Sequence, residues 1–211
     1  GTIEEPIDFP DLEAFGNNNF TKELNDLDTV INWLQATDIL NNEVDLQQII
    51  LLGHSRGSGI VSIKAAEDSR VQKVISLAGV SDYASRFPKN EAFQEWKEKG
   101  VFYVENGRTH QKMPHFFQFF EDFEKNDVRL NIKRAVKNLK IPQLIIHGEE
   151  DTSVSIEEAR KLHEWNPLSH LETIKRANHV FGTSHPWRQS ELSYELKKAV
   201  DLCVSFIKDN S

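Results

Sequence analysis

The segment Gly53-His54-Ser55-Arg56-Gly57 constrains the fold of this chain more than any other. It fits the pattern Gly-x-Ser-x-Gly and directly follows the apolar run at residues 49–52, which is typical of a strand. A strand that leads into a glycine-flanked serine predicts a sharp strand-to-helix turn with the serine hydroxyl exposed above a sheet. Only very small side chains fit two residues before and after such a serine, so we expect both glycines to be required. Ser55 is therefore a candidate nucleophile, although the pattern also fits an ordinary loop serine.

The remaining apolar runs predict an α/β fold. Strands are expected at 48–52, 73–78, 142–147 and 170–175, with helical segments between them. Their cores are runs of Ile, Leu and Val rather than strict alternation, which is typical of a parallel sheet covered on both faces. The sequence therefore predicts a mostly parallel sheet flanked by helices.

Periodicity and capping residues locate the helices. Residues 21–37 and about 57–68 are predicted to be helical, and Ser155-Ile-Glu-Glu158 is typical of a capping box that opens a helix to about residue 165. A final helix is expected to bury one apolar face, which includes Cys203 as a small core residue. This face consists of Leu192, Leu196, Ala199, Val200, Cys203, Phe206 and Ile207.

Residues 81–140 interrupt the alternation of strands and helices. Asn106-Gly107 predicts a hairpin turn between arms at 102–104 and 108–110, and five phenylalanines follow within eight positions from Phe116. We interpret this segment as helical pieces plus a hairpin that form a lid, inserted into a single domain that spans 1–211. Residues 1–20 are expected to be irregular. The phenylalanines fit either the core of the lid or a ring-lined substrate pocket.

A serine nucleophile needs a histidine base, and the base needs a carboxylate to orient it. In parallel sheets such groups lie just after the carboxyl ends of strands. The third strand is followed by three candidate acids, Glu149, Glu150 and Asp151, and the fourth by His179, with His185 as its rival.

His54, beside the candidate serine, and His147, at the end of a predicted strand, are interpreted as structural neighbours of the site. The histidines other than His179 offer no convincing metal-binding spacing, so no metal is predicted.

The order Ser55, Asp151, His179 resembles that of the α/β-hydrolases. The motifs that carry the resemblance are Gly-His-Ser-Arg-Gly at 53–57, His-Gly-Glu-Glu-Asp at 147–151 and Ala-Asn-His at 177–179. More narrowly, the chain looks like the dienelactone-hydrolase-like and cinnamoyl-esterase-like members with a short inserted lid. The resemblance selects Asp151 as the acid and implies hydrolysis through an acyl-enzyme, without metal or organic cofactor. It also implies that the backbone N–H of Arg56 stabilises the oxyanion.

The N-terminal part of the chain departs from the pattern of this family. Family members have further strands before the nucleophile strand, and a loop after an early strand that supplies a second oxyanion donor. Neither is recognisable in this sequence, which opens with Gly1-Thr2-Ile3. We therefore expect the N-terminal strands to be missing from the sequence as given.

Composition restricts the kinds of molecule that this protein is expected to bind. The formal net charge is −8 and no basic stripe is visible, which argues against nucleic-acid binding. No apolar run approaches the roughly 20 residues that a membrane span needs. One cysteine excludes an internal disulfide and favours a reducing, cytoplasmic location.

The resemblance implies a serine ester hydrolase that cleaves small acyl or aryl carboxylic esters, so a small-molecule ester is the expected partner. Two alternatives stay open at this point. One is a serine peptidase related to the prolyl-oligopeptidase catalytic domain, and the other is a non-catalytic protein of the same fold that binds ligands.

Overall fold

The computed structural model describes residues 8–40, 43–107 and 109–209. These residues pack as two compact units. One contains the residues up to Asp26 together with Ala84–Leu130, and the other contains Leu27–Tyr83 together with the residues from Asn131 onward. Both ends of the predicted insertion, 81–83 and 131–140, thus belong to the second unit. The single domain and the role of the insertion as a lid stay predictions.

The described residues form six strands and eight α-helices. The strands are β1 (Ile49–His54), β2 (Val71–Leu77), β3 (Val101–Glu105), β4 (Lys112–Phe116), β5 (Gln143–Gly148) and β6 (His170–Ile174). The helices are α1 (Leu12–Gly16), α2 (Phe20–Ala36), α3 (Arg56–Glu67), α4 (Asn90–Lys99), α5 (Gln118–Lys125), α6 (Ile132–Asn138), α7 (Ile156–Trp165) and α8 (Tyr194–Lys208).

Four strands form a parallel sheet in the order β1-β2-β5-β6. The predicted parallel sheet with flanking helices is confirmed, and each predicted strand lies within two residues of its observed bounds. Differences of two residues occur at the start of β2 and at the end of β1, which continues through Gly53 and His54 because these residues pair with Ser76 and Leu77 of β2. Because the four strands run parallel, their carboxyl ends lie at the same edge of the sheet.

Helices cover both faces of this sheet. Adjacent strand residues point to opposite faces, and Val74 and Ile75 of β2 are both completely buried for this reason. Val74 packs in a cluster with residues of α2 and α3, whereas Ile75 packs with residues of α8. Strand β5 is buried along its whole length, as expected for an inner strand with helices on either side.

Helix α8 packs on a face that overlaps the predicted one but is shifted around the helix. Leu192 precedes the helix, and Leu192, Val200 and Ile207 are exposed. Leu202 was not predicted but packs on the sheet cluster, because the stripe in contact with the sheet is centred one residue away from Val200 and Ile207. Cys203 is buried as predicted, and burial raises the pKa of its thiol. The packed face consists of Leu196, Ala199, Leu202, Cys203 and Phe206.

The cap predicted for α7 is present in a modified form. The Ser155 side chain accepts a hydrogen bond from the backbone N–H of Glu157 at 3.3 Å. The Glu158 carboxylate was expected to bond back to the cap, but it accepts hydrogen bonds from the N–H and the hydroxyl of Ser81 at 2.6 and 2.9 Å. Glu158 thereby ties α7 to the loop that follows β2.

In the first unit, β3 and β4 form an antiparallel hairpin with Glu105 opposite Lys112. The prediction that the second arm lies at 108–110 is wrong, because β4 begins at Lys112. The Asn106 side chain accepts a hydrogen bond from the N–H of Thr109, and His110 has a φ of 58°, so this stretch is loop rather than strand. Arg108 lies outside the described residues.

The expectation of an irregular segment at 1–20 is also wrong in part. Residues 12–16 form α1, because the Asp11 carboxylate caps the helix by accepting a hydrogen bond from the N–H of Ala14 at 2.8 Å. Helix α2 then begins at Phe20. Residues 1–7 lie outside the described part of the chain.

The aromatic residues of the first unit pack against one another. Ring centroids lie 4.7 Å apart for Phe20 and Phe119, 4.7 Å for Phe93 and Phe120, and 6.4 Å for Trp96 and Phe120. Trp96 is completely enclosed and donates its indole N–H to the carbonyl of His115. These contacts favour the interpretation of the phenylalanines as the core of their own unit.

A buried charge cluster joins α2, α3 and the start of β2. Lys64 pairs with Asp28 and, at 3.0 Å, with Asp68, and the side chains of Lys64 and Asp68 are only 8% exposed. Arg70 donates to Asp68 at 2.7 Å. Hydrogen bonds from Arg70 hold the pKa of the Asp68 carboxyl far below its usual range; burial opposes this shift, and Lys64 reinforces it.

Replacing Asp68 with Asn is expected to lower the free energy of unfolding by about 2 kcal/mol at pH 7. The folded-state pKa of Asp68 lies below its unfolded value of about 3.9. Its contribution is therefore complete above that pH and is lost as the pH falls through the folded pKa. Urea denaturation of both proteins across this range should show the difference narrowing below about pH 4.

Asp201→Asn is the matched control, because Asp201 forms an exposed pair with Lys197 in which both side chains are more than 60% accessible. Its effect should stay below about 0.5 kcal/mol. Equal effects of the two substitutions at pH 7 would contradict the importance of the buried cluster.

In the part of the chain that the structure describes, every helix is too short or too polar to span a membrane.

Candidate active site

Ser55 lies in a strained turn between β1 and α3. Its φ of 55° and ψ of −121° are unusual for a residue with a side chain. The turn is held because the Ser55 N–H donates to the Leu77 carbonyl at 2.9 Å, and α3 begins immediately at Arg56. This is the geometry expected of a serine exposed at the end of a strand.

The two glycines that flank Ser55 are not equivalent. A Cβ on Gly53 would lie 2.4 Å from the carbonyl oxygen of Gly57 and 2.7 Å from the nitrogen of Ser58, so the turn admits no side chain there. A Cβ on Gly57 would meet no described atom within 4 Å. The prediction that both glycines are needed for their size holds for Gly53 and is wrong for Gly57, because only Gly53 faces the returning backbone.

Asp151 lies in a tight loop after β5 with its side chain fully buried. One carboxylate oxygen, Oδ1, accepts hydrogen bonds from the N–H groups of Ser153 and Val154, both at 2.8 Å. The other, Oδ2, lies 2.8 Å from Nδ1 of His179. The fold of these loops therefore fixes the positions of the three groups that contact the carboxylate.

These donors keep Asp151 ionised. Burial is the largest single influence and pushes the pKa of the carboxyl up, but hydrogen bonds from Val154, His179 and Ser153 together outweigh it. The resulting pKa lies below the usual value of an aspartate. A charged carboxylate at this position can stabilise a positive charge on His179.

His179 connects the acid to the serine. Its Nδ1 faces Asp151, and its Nε2 lies 3.0 Å from Oγ of Ser55. The histidine loop is also anchored to the acid loop, because the N–H of Glu150 donates to the Ala177 carbonyl at 3.0 Å. The structure thus brings together Ser55, Asp151 and His179, as the sequence predicted; their catalytic roles stay predictions.

The rival residues lie elsewhere. Glu149 is exposed and accepts a hydrogen bond from the hydroxyl of Thr173 at 2.9 Å, and the side chain of Glu150 is exposed. His185 lines a separate apolar cavity of about 450 Å³ together with Trp187 and Leu192. These three alternatives therefore lack the contacts that His179 and Asp151 make.

Two further histidines contact the candidate site, as expected of its neighbours, although the sequence does not predict the particular contacts. His147, completely buried on β5, lies 2.8 Å from the carbonyl of Val154 and 3.4 Å from Oδ2 of Asp151. His54 places its Nε2 2.8 Å from the carbonyl oxygen of His179. The sequence signal for these contacts is that His54 ends β1 next to Ser55, and that His147 lies near the end of β5, before the loop that carries Asp151.

Arg56 is the first residue of α3, so its backbone N–H lies at the positive end of this helix. Its carbonyl accepts a hydrogen bond from the hydroxyl of buried Tyr83 at 3.0 Å, which anchors the same turn. Within the described ranges, no group of three or more His, Cys, Asp or Glu side chains is arranged to hold a metal ion.

The sequence matches no family model and no curated protein. Its structure resembles the esterase domain of a Rhodothermus marinus protein with 22% identity and a TM-score of 0.52; the match covers 80% of this chain and 63% of that one, less than two thirds of its length. It resembles Est1E from Butyrivibrio proteoclasticus with bound ferulic acid (18% identity, TM-score 0.68, 91% and 69% of the two chains). It also resembles the α/β-hydrolase GrgF from Penicillium sp. sh18 (18%, 0.61, 90% and 72%). At these identities the likeness is one of fold, and the chain has the α/β-hydrolase fold.

Proposed function

We propose that this chain hydrolyses small acyl or aryl carboxylic esters through an acyl-enzyme on Ser55. The observation that carries the proposal is the hydrogen-bonded series from Asp151 to His179, at 2.8 Å, and from His179 to Ser55, at 3.0 Å. A nucleophile within hydrogen-bond reach of a base, and a base oriented by a third group, is the geometry that activates a serine.

In the proposed reaction, Nε2 of His179 accepts the hydroxyl proton as Oγ of Ser55 attacks the ester carbonyl carbon. Asp151 holds the Nδ1–H tautomer and stabilises the imidazolium. His179 then donates the proton to the leaving alcohol as the bond to that oxygen breaks. Water attacks the acyl-enzyme with His179 as base, and the acid leaves as Ser55 regains its proton.

The oxyanion is proposed to bind at the N-terminus of α3. The backbone N–H of Arg56 is the donor, and the helix dipole adds positive potential at the same place. The strained φ of Ser55 is consistent with this role, because backbone strain of this kind is typical of functional turns. A single such donor typically contributes about 3 kcal/mol to catalysis.

The substrate class rests on the resemblance and on two similar proteins. One is an esterase domain and the other, Est1E, binds ferulic acid, an aromatic carboxylic acid. We therefore propose esters with small acyl or aryl groups. The lid role of residues 81–140 stays a prediction from the sequence.

A fluorophosphonate probe tests the proposal directly, because it reacts with an activated serine and mimics the tetrahedral intermediate. Intact mass should show one adduct on the wild-type chain and none on Ser55→Ala. Ser205→Ala is a matched control, since Ser205 is an exposed serine on α8, away from the three candidate residues.

The outcomes separate the candidate functions. An adduct on Ser55, followed by turnover of p-nitrophenyl esters and not of peptide amides, supports the ester hydrolase. Cleavage of peptides would favour the peptidase alternative. A folded wild-type protein with no adduct and no turnover would contradict the proposal and favour a binding protein.

A further inference from the structure

We propose that His54 is a positioning residue that holds the main chain of His179 in line with Ser55. This inference rests on the proposed function and adds to it a residue outside the three predicted site residues. His54 would touch neither substrate nor reacting atoms; its effect would pass through His179.

The contact that supports this proposal is a hydrogen bond whose donor and acceptor are both defined. Nε2 of His54 lies 2.8 Å from the backbone oxygen of His179, which is 125 residues away in sequence. A carbonyl oxygen only accepts hydrogen bonds, so Nε2 of His54 must carry the hydrogen. The two rings are also in contact, with centroids 4.7 Å apart and planes inclined at 45°.

The position of His54 in the chain gives this contact its consequence. His54 is the last residue of β1 and immediately precedes Ser55, which is itself fixed by the hydrogen bond of its N–H to the Leu77 carbonyl. His54 and Ser55 are adjacent, so the same short segment carries the nucleophile and forms a hydrogen bond with the backbone of His179. A movement of the end of β1 would carry both groups together, so the distance from Nε2 of His179 to Oγ of Ser55 would be preserved.

The surroundings of His54 favour its neutral form. Its titratable neighbours are His179, Asp151 and His147, and partial desolvation of the His54 ring is the main cause that lowers its pKa. A neutral ring donates to the carbonyl without adding a positive charge beside the imidazolium that His179 becomes during the reaction. The contact thus positions the base without opposing its protonation.

Two substitutions separate the hydrogen bond from the ring. His54→Phe keeps a flat ring but removes the donor, and His54→Gln keeps a donor. We expect His54→Phe to lower both kcat and the second-order rate of fluorophosphonate labelling by about tenfold, the equivalent of one neutral hydrogen bond. KM should change by less than about twofold, because the contact does not involve substrate. His54→Gln should recover most of the loss.

His110→Phe is the control, because His110 is an exposed histidine on the other unit, paired with Glu105. Melting temperatures of all variants show whether each is folded. If His54→Phe does not fold, nitrogen-15 NMR of the wild-type protein provides the test: the proposal requires the Nε2–H tautomer of His54, and the Nδ1–H tautomer would overturn it.

The failures of the two proposals are distinguishable. A wild-type chain that is not labelled at Ser55 overturns the proposed function and this inference with it. Labelling of wild type and of folded His54→Phe at the same rate overturns only the positioning role. A loss in His54→Phe that His54→Gln does not relieve also contradicts it, because the donor would not be the cause.

Discussion

Replacing Asp151 with Asn is expected to lower kcat by about 10⁴-fold while the fold is retained. The Asn oxygen can still accept the hydrogen bonds that Oδ1 receives from Ser153 and Val154. The amide nitrogen, however, would face Nδ1 of His179, where a donor is already present. His179 would then adopt the tautomer with hydrogen on Nε2, which cannot accept the proton of Ser55.

The expected loss is large because it removes the base rather than one contact. Steady-state kinetics on a p-nitrophenyl ester measure it, with circular dichroism to show that the variant is folded. Glu150→Gln is the matched control, since Glu150 is the neighbouring acid and its side chain is exposed. It should retain nearly full kcat. Full activity of Asp151→Asn, or an equal loss in Glu150→Gln, would reject Asp151 as the acid.

Replacing Gly53 with Ala is expected to destabilise the protein by about 3 kcal/mol or more. The new Cβ would lie 2.4 Å from the Gly57 oxygen, 2.6 Å from the Gly57 carbonyl carbon and 2.7 Å from the Ser58 nitrogen. All three atoms belong to backbone in the first turn of α3, so no side-chain rotation can relieve the overlap. The turn must open, and Ser55 would move away from His179.

Gly57→Ala is the natural comparison, because it makes the same change on the other side of Ser55. Its Cβ would meet no described atom within 4 Å. Since Ala is favoured over Gly within a helix by about 0.5–1 kcal/mol, this variant should be as stable as wild type or slightly more so. Urea denaturation of the two variants measures the difference. Similar losses at both positions would show that the packing of the turn differs from that described.

Several features of the site could be predicted from sequence because they depend on residues close together in the chain. The apolar run before Gly53, the glycine-flanked Ser55 and the histidine after the fourth strand are local patterns. Parallel strands then place all three loops at one edge of the sheet, so strand positions alone predict that these residues converge.

The errors have equally physical causes. The second arm of the hairpin was placed too early because Asn106-Gly107 suggested a two-residue turn, whereas the bond from the N–H of Thr109 to Asn106 stabilises a longer loop. The predicted face of α8 is shifted from the observed one, because apolar residues at the edge and at the centre of a helical stripe recur with the same spacing. Spacing alone therefore does not show which of them is buried. Which of them is buried depends on the surface that the helix packs against.

The sequence by itself determined the four strands of the parallel sheet, the helices α2, α3 and α7 beside them and the serine at the turn, because periodicity and glycine spacing are local properties. The distance in sequence from the third strand did not distinguish Glu149, Glu150 and Asp151, and the preference for Asp151 came from the family resemblance. Only the tertiary structure separated them, because burial of one carboxylate and its 2.8 Å contact with His179 depend on a loop 28 residues away. The same is true of His54, whose partner is the main chain of a residue 125 positions distant and therefore leaves no trace in side-chain patterns.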